Sequence, residues 1–373
     1  MTPSRAVRLS SAIMTHPGRL DAARALSRTL SELDPVIVVD PAPGTPHSCI
    51  RNARRAWAAC GPSSTHHLVL QDDALPSRDF VESLRSAIAE RPRHAVSLFT
   101  EWGSYSSYGV RLAALAETGW APVIDHYLPS VGLVLPADTA RAFGLGNDES
   151  VLQDDVALML LCERTGVPMA LTVPNLIQHG GTESLVGNQA MGSRLAAHYK
   201  QNETARGTSR GPELAVDIPY FAAELGRARS MLYDPRRRTW FAGSFQDFLD
   251  RQGLNPDRMR MAGPSGGRAV SALRACGLSK QSLQVLGGLR LVVYGLAHQA
   301  GRFGRFGSSG PSGPGGGLAD LSAIRTAAPG ALRWSMSADE LTTVRHLVDR
   351  LLEDCARRGF EDGSARRTSA AAA

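Results

Sequence analysis

The chain is nearly without lysine. Only Lys200 and Lys280 occur, so almost all of its 41 basic residues are arginine, set against 35 acidic ones. The formal charge of +6 is small for 373 residues. It is spread along the chain, with no basic run interleaved with aromatics. That argues against a nucleic-acid-binding protein, for which Arg227, Arg229 and Arg236–Arg238 would be the patch. The arginine bias follows from GC-rich codons, with a surface that favours phosphate-like anions as the second reading. Cysteine is sparse as well. Cys49, Cys60, Cys162, Cys276 and Cys355 are scattered, with no C-x-x-C pair. An odd, irregular set argues against a disulfide framework and a structural zinc site, and it suits a reducing cytoplasm. No apolar h-region precedes the first strand, so no signal peptide is expected. The most apolar stretch, 282–301, is interrupted by Arg290, Gln299 and glycines. A core or interfacial helix is expected there rather than a membrane span, with peripheral membrane contact left open.

What remains is an ordinary globular composition, 43% hydrophobic and 20% charged. The length suits one large domain or two smaller ones. The first 190 residues alternate strand and helix signals. Strands are expected at Ser11–Met14, Val36–Val39, His67–Gln71, Val96–Phe99, Val131–Leu135 and Val167–Val173, with Val36–Val39 fully buried. Helices are expected at Leu20–Leu33, Asn52–Cys60, Arg78–Glu90 with Ser77 as its cap, Pro136–Phe143 and Val151–Thr165. This alternation predicts an α/β fold with a mixed, mostly parallel sheet covered by helices. Ligands of such sheets sit beyond the carboxyl ends of the strands.

Beyond residue 205 the pattern changes. Residues 206–300 read as a mostly helical extension. The Gly/Ser/Pro-rich stretch 301–330 reads as a flexible linker. Residues 331–362 hold a C-terminal helix, capped by Ser337, with Leu341, Val344, Leu347, Val348, Leu351 and Leu352 on one face. A disordered tail is expected over 363–373.

Four segments could carry chemistry. In His66–Ala74, adjacent Asp72 and Asp73 end a strand. Two neighbouring carboxylates repel, and a divalent cation with a nucleotide diphosphate relieves that. A solvated turn is the plainer reading. In Pro174–Ser184, His179 could reach a metal through a ring nitrogen, and the glycines let backbone N–H groups approach phosphate. A turn with an exposed or hydrogen-bonded histidine is the plainer alternative. In Asp148–Asp155, the acids either favour the helix dipole or supply a general base. In Ile50–Trp57, Arg51 or Asn52 could contact a phosphate, ribose or base, whereas Arg54 and Arg55 suit a solvated face. Trp102, Tyr105, Tyr108 and Trp120 could stack on an acceptor sugar, although packing is expected for at least half of them.

The order of these elements over roughly residues 10–190 resembles the GT-A glycosyltransferases, especially family-2-like members. The similar features are Thr15-His16-Pro17-Gly18-Arg19, a strand ending in Asp40, Arg51-Asn52, Asp72-Asp73, Gly132–Pro136, Asp154-Asp155 and the loop ending at His179. The resemblance implies a GT-A catalytic domain over 1–205. It also implies a nucleotide-sugar donor and Mn²⁺ or Mg²⁺. Thr15, Asp40, Arg51, Asn52 and Asp72 would contact the donor, with Asp40 on the nucleoside and Asp72 on the ribose or a metal-bound water. Asp73 and His179 would hold the metal. Asp154 or Asp155 would be the base of an inverting displacement by an acceptor hydroxyl on a glycan, small molecule or protein. Gln71 stands where many relatives carry an acid. A nucleotidyltransferase is the alternative, but no Gly-rich loop with a lysine lies near the N-terminus.

Overall fold

The computed structural model describes residues 7–45, 47–147, 153–180, 194–201, 211–261, 264–304 and 321–372. In chain order the elements are β1 (Leu9–Thr15), α1 (Leu20–Thr29), β2 (Val36–Val39), α2 (Ser48–Ala58), β3 (His66–Gln71), β4 (Ala74–Pro76), α3 (Phe80–Glu90) and β5 (Ala95–Ser97). Next come α4 (Ser106–Leu115), β6 (Trp120–Ala121), β7 (Gly132–Pro136), α5 (Ala137–Gly144), α6 (Asp154–Thr165), β8 (Met169–Thr172) and β9 (Ile177–His179). The remainder is β10 (Ile218–Ala222), β11 (Arg227–Asp234), β12 (Thr239–Ser244), α7 (Phe245–Gln252), α8 (Pro256–Met261), α9 (Pro264–Ala275), α10 (Lys280–Phe303), α11 (Ser322–Arg325), α12 (Ala327–Leu332) and α13 (Ala338–Ala372).

The chain forms two compact units interleaved in sequence. One comprises Met1–Thr100, Asp125–Glu183 and Tyr199–Ser209; the other comprises Glu101–Ile124, Ser184–His198 and Arg210–Ala373. A single boundary near residue 205 therefore misses two excursions into the second unit.

In the first unit the strands pair in the order β2-β1-β3-β7-β5-β8. β1 is parallel to β2 and β3, and β5 is parallel to β8. β7 alone runs against its neighbours β3 and β5. The expected mixed, mostly parallel α/β sheet is therefore present. β3 is central, and its residues His66–Leu70 are all buried. β2 is at the edge of this order, which corrects the expectation of a fully buried strand: Val36 is 54% exposed. Among the described residues its β-branched run has a strand neighbour, β1, on one side only. α2 packs on β1, β2, β3 and α5. Trp57 anchors it, 1% exposed and edge-on to His67 and Phe143.

Two helix boundaries move from their expected positions. α3 begins at Phe80, and Ser77 does not cap it. The Ser77 backbone N–H instead donates to the Leu176 carbonyl at 2.9 Å, prolonging the β4–β9 ladder. α2 begins four residues early, at Ser48, whose hydroxyl is held by Asp40. In α6 the buried positions are Asp154, Leu158, Leu161 and Cys162, whereas Leu160 is 40% exposed.

The second unit is not purely helical at its start. β10, β11 and β12 form an antiparallel meander. Its core gathers α4, the meander and the long helices α10 and α13. Ser279 caps α10 through the Ser282 N–H at 3.0 Å. Val285, Leu286, Leu289, Val292, Val293 and Leu296 are buried at helical spacing along α10. Ser337 and Glu340 form the expected reciprocal cap of α13. Among the described residues no helix is long and apolar enough to cross a membrane. The described parts of the expected 301–330 linker are not flexible. α10 runs on to Phe303, and α11 and α12 occupy Ser322–Arg325 and Ala327–Leu332 because Ala323, Ile324, Ala327 and Ala328 are buried. Residues 305–320 lie outside the described residues.

α13 also corrects the expected disordered tail, since it remains helical to Ala372. The cause is close helix packing at small residues. A Cβ on Gly359 would lie 2.3 Å from the Tyr294 carbonyl oxygen, and one on Gly363 would lie 2.1 Å from that of His298. Gly301 meets α13 in the same way, 2.3 Å from the Phe360 oxygen. The missing side chains of these glycines are thus what let the helices touch. Gly363→Val should destabilise the chain by about 1–3 kcal/mol or more through overpacking. Gly287, also in α10 but facing open space, should gain about 0.5–1 kcal/mol as alanine. Urea unfolding of the two variants should move the midpoint in opposite directions.

Candidate functional site

The register of the parallel strands builds the site. Thr15 pairs with Val39, and Met14 pairs with Gln71. The three strands therefore end level, and the next residues in β2 and β3 are Asp40 and Asp72. The Asp40 N–H donates to the Thr15 carbonyl at 2.9 Å. The Thr15 hydroxyl donates to Asp72 Oδ2 at 2.5 Å, and the His16 N–H reaches the same oxygen at 3.3 Å. Asp72 is 8% exposed, so the plainer reading of a solvated turn is wrong.

Asp73 faces different partners. β4 follows it at once and pairs antiparallel with β9, setting Ala74 opposite His179. This ladder carries a residue more than a hundred positions distant to the strand end. His179 Nε2 lies 3.4 Å from Asp73 Oδ2. His179 is 4% exposed and packs near the Phe99 ring, so it is neither exposed nor in a turn. The Gly180 N–H donates to the Asp73 backbone carbonyl at 2.8 Å instead of facing outward. Residues 181–193 lie outside the described residues.

One contact was not anticipated. Arg19 Nη1 lies 2.9 Å from Asp73 Oδ2 and 3.4 Å from Asp72 Oδ1, bridging the two carboxylates. The tight turn after β1 delivers it, closed by Gly18 N–H donating to His16 Nδ1 at 3.0 Å. The only signal in the sequence was an arginine a few residues past a strand end.

α2 organises the other side. Ser48 donates to Asp40 Oδ2 at 2.8 Å, while the Ala42 N–H donates to Asp40 Oδ1 at 3.1 Å. Asn52 Nδ2 donates to the Thr15 carbonyl at 3.4 Å, and Asn52 Oδ1 is buried without a hydrogen-bond partner among the described residues. Arg51 does not reach this cluster. Its guanidinium donates to the Ala42 carbonyl and the Thr45 hydroxyl, which pins the Pro/Gly-rich loop. Arg55 is exposed, as a solvated face requires.

Asp154 is buried at the start of α6, 6% exposed. The Cys49 thiol donates to its Oδ1 at 3.2 Å. Burial raises the Asp154 pKa, partly countered by hydrogen bonds from Cys49 and Ser130. The Cys49 thiol is pushed up in turn, by burial and then by the Asp154 charge. Gln71 Nε2 donates to Ser130 Oγ at 3.4 Å, so the end of β3 and the start of α6 share a partner. Asp155 is only partly buried and accepts the Val156 N–H at 2.8 Å. Asp148 and Glu149 lie outside the described residues. Tyr108 and Trp120 are each 1% exposed and belong to the second unit's packing.

The donor set can be tested against a divalent cation. Asp73 Oδ1 is buried and has no hydrogen-bond partner among the described residues, beside the imidazole of His179. A carboxylate with an unmet acceptor and a neighbouring imidazole suits Mn²⁺, and Mg²⁺ through the oxygen alone. Among the described residues no three His, Cys, Asp or Glu side chains form a ready metal cage. Asp73 and His179 therefore fit an ion that takes its remaining ligands from phosphate and water, as such ions usually do beside a diphosphate. No protein-family model matches the chain, and no curated protein matches it. The functional reading rests on the site alone.

Proposed function

We propose that the chain is a GT-A-type glycosyltransferase that transfers a sugar from a nucleotide-sugar donor to an acceptor hydroxyl. The supporting observation is the level ending of β1, β2 and β3. It sets Thr15, Asp40 and Asp72 side by side, with Asp73 and His179 adjoining. Ligands of α/β sheets bind at this edge.

In this reading Asp40 and Asn52 face the nucleoside and Asp72 faces the ribose. Thr15 and the His16 N–H hold Asp72 in place. Asp73 and His179 would hold Mn²⁺ or Mg²⁺, which stabilises the negative charge on the departing diphosphate. Arg51 keeps the loop after Asp40 in shape.

Asp155 is the better general base of the acidic pair. Asp154 is enclosed by Cys49 and Ser130, and its raised pKa favours the protonated form. It serves to position α6 against α2. Asp155 takes the proton of the acceptor hydroxyl as that oxygen bonds to the anomeric carbon. The bond from that carbon to the diphosphate oxygen breaks, giving inversion.

A thermal-shift screen of UDP-, GDP- and dTDP-sugars, with and without Mn²⁺, tests the proposal. A cognate donor at a hundred times its dissociation constant should add about 2.7 kcal/mol of stability, and only with the metal present. Pyrophosphate release from a nucleoside triphosphate, with no response to any nucleotide sugar, would instead favour a nucleotidyltransferase.

A further inference from the structure

The Asp72–Asp73 pair already has a cation of its own. Arg19 Nη1 sits within ion-pair distance of both carboxylates, at 3.4 and 2.9 Å. Its side chain is 18% exposed, against 7% and 10% for the two aspartates. This is an enclosed pair, not a solvated surface contact, and screening by salt is correspondingly weak. The oxygen it holds most closely, Asp73 Oδ2, is the one that His179 Nε2 faces at 3.4 Å. A divalent cation bound to Asp73 and His179 would thus meet a guanidinium at hydrogen-bond range of the same carboxylate. Two cations that close repel strongly in a partly desolvated site.

Arg19 ends a single 3-10 turn, Pro17–Arg19, just ahead of α1. Its side chain is the long, fork-ended type that recognises phosphate in a bidentate way. A nucleotide sugar brings two phosphates to the strand end that Arg19 already faces.

We infer that Arg19 serves two anions in turn: the Asp72–Asp73 pair, and the donor diphosphate once a divalent cation takes over Asp73. This rests on the glycosyltransferase reading above. Arg19 competes with the metal for Asp73 when no nucleotide is bound, and it supports nucleotide binding when the metal is present. Removing Arg19 ends the competition for Asp73 and takes away a phosphate partner, so the two affinities shift in opposite directions.

The test is isothermal titration of the full chain and its Arg19→Met variant. MnCl₂ alone is titrated first, followed by UDP and GDP at saturating MnCl₂. Arg19→Met should bind Mn²⁺ about fivefold tighter or more and the nucleoside diphosphate about tenfold weaker or more. Unchanged Mn²⁺ affinity together with unchanged nucleotide affinity would make Arg19 a structural ion pair and end the proposal. Arg19→Lys guards against misfolding of the first variant. It keeps the charge but lacks the fork, so Mn²⁺ affinity should match the parent and nucleotide affinity should fall. Parental affinity for both ligands in the lysine variant overturns the proposal equally. If the parent binds neither Mn²⁺ nor any nucleotide, the glycosyltransferase reading itself fails. If the parent binds both and the variants alter neither, only the role of Arg19 fails.

Discussion

Asp73→Ala is expected to weaken Mn²⁺-supported nucleotide-sugar binding by at least about a hundredfold and to leave the fold intact. The loss follows from the atoms involved. Asp73 supplies the carboxylate beside His179, and its Oδ1 is buried without a hydrogen-bond partner among the described residues. Little stability should go with it, because the ion pair is not left half made. Arg19 keeps Asp72 as a partner at 3.4 Å, and Asp72 keeps Thr15. Asp73→Asn should show the same defect, since it preserves shape and removes the charge. Titration with Mn²⁺ and a nucleoside diphosphate reads the effect, with a thermal melt as the folding control. Tight, metal-independent nucleotide binding by Asp73→Ala would end the metal role.

The sequence made the strand-end carboxylates legible because each followed a β-branched or apolar run with no competing helix period. Val36–Val39 and His66–Gln71 both end at an aspartate, and a parallel register is all that is needed to align them. Burial was harder to read. An apolar run looks the same at a sheet edge as at its centre, and Val36 shows the difference. The fate of His179 was also hidden. Its burial depends on the β4–β9 pairing, a contact between short strands far apart in sequence. Arg19 and Cys49 were missed for a related reason. Each acts through a partner 53 or more positions away, and nothing local marks either as more than a helix-flanking residue.

In the second unit, Gly301, Gly359 and Gly363 lie where the backbones of α10 and α13 come close together. Pairwise helix contact depends on both sequences at once, so neither segment reveals it alone. The same limit explains the excursion at 101–124, whose apolar content fits either unit and is assigned only by packing.

That close helix contact has a consequence for stability in acid. His298 on α10 is 0% exposed, and neither ring nitrogen has a hydrogen-bond partner among the described residues. Burial lowers its pKa to about 4, with the charges of Arg366 and Arg302 adding to the shift and Asp362 opposing it. The unfolded chain therefore takes up the proton first, near pH 6.5. The neutral histidine contributes fully above that value, and its contribution is lost as the pH falls from about 6.5 to about 4. The depression amounts to about 3 kcal/mol at one proton. His66, His67 and His94 are also lowered by burial, so the parent's acid loss is a sum. The difference from His298→Leu isolates the single site. Urea unfolding at pH 7 and pH 4 should show the variant losing about 3 kcal/mol less than the parent between the two values. Equal losses would mean that His298 gains its proton without opening the α10–α13 contact.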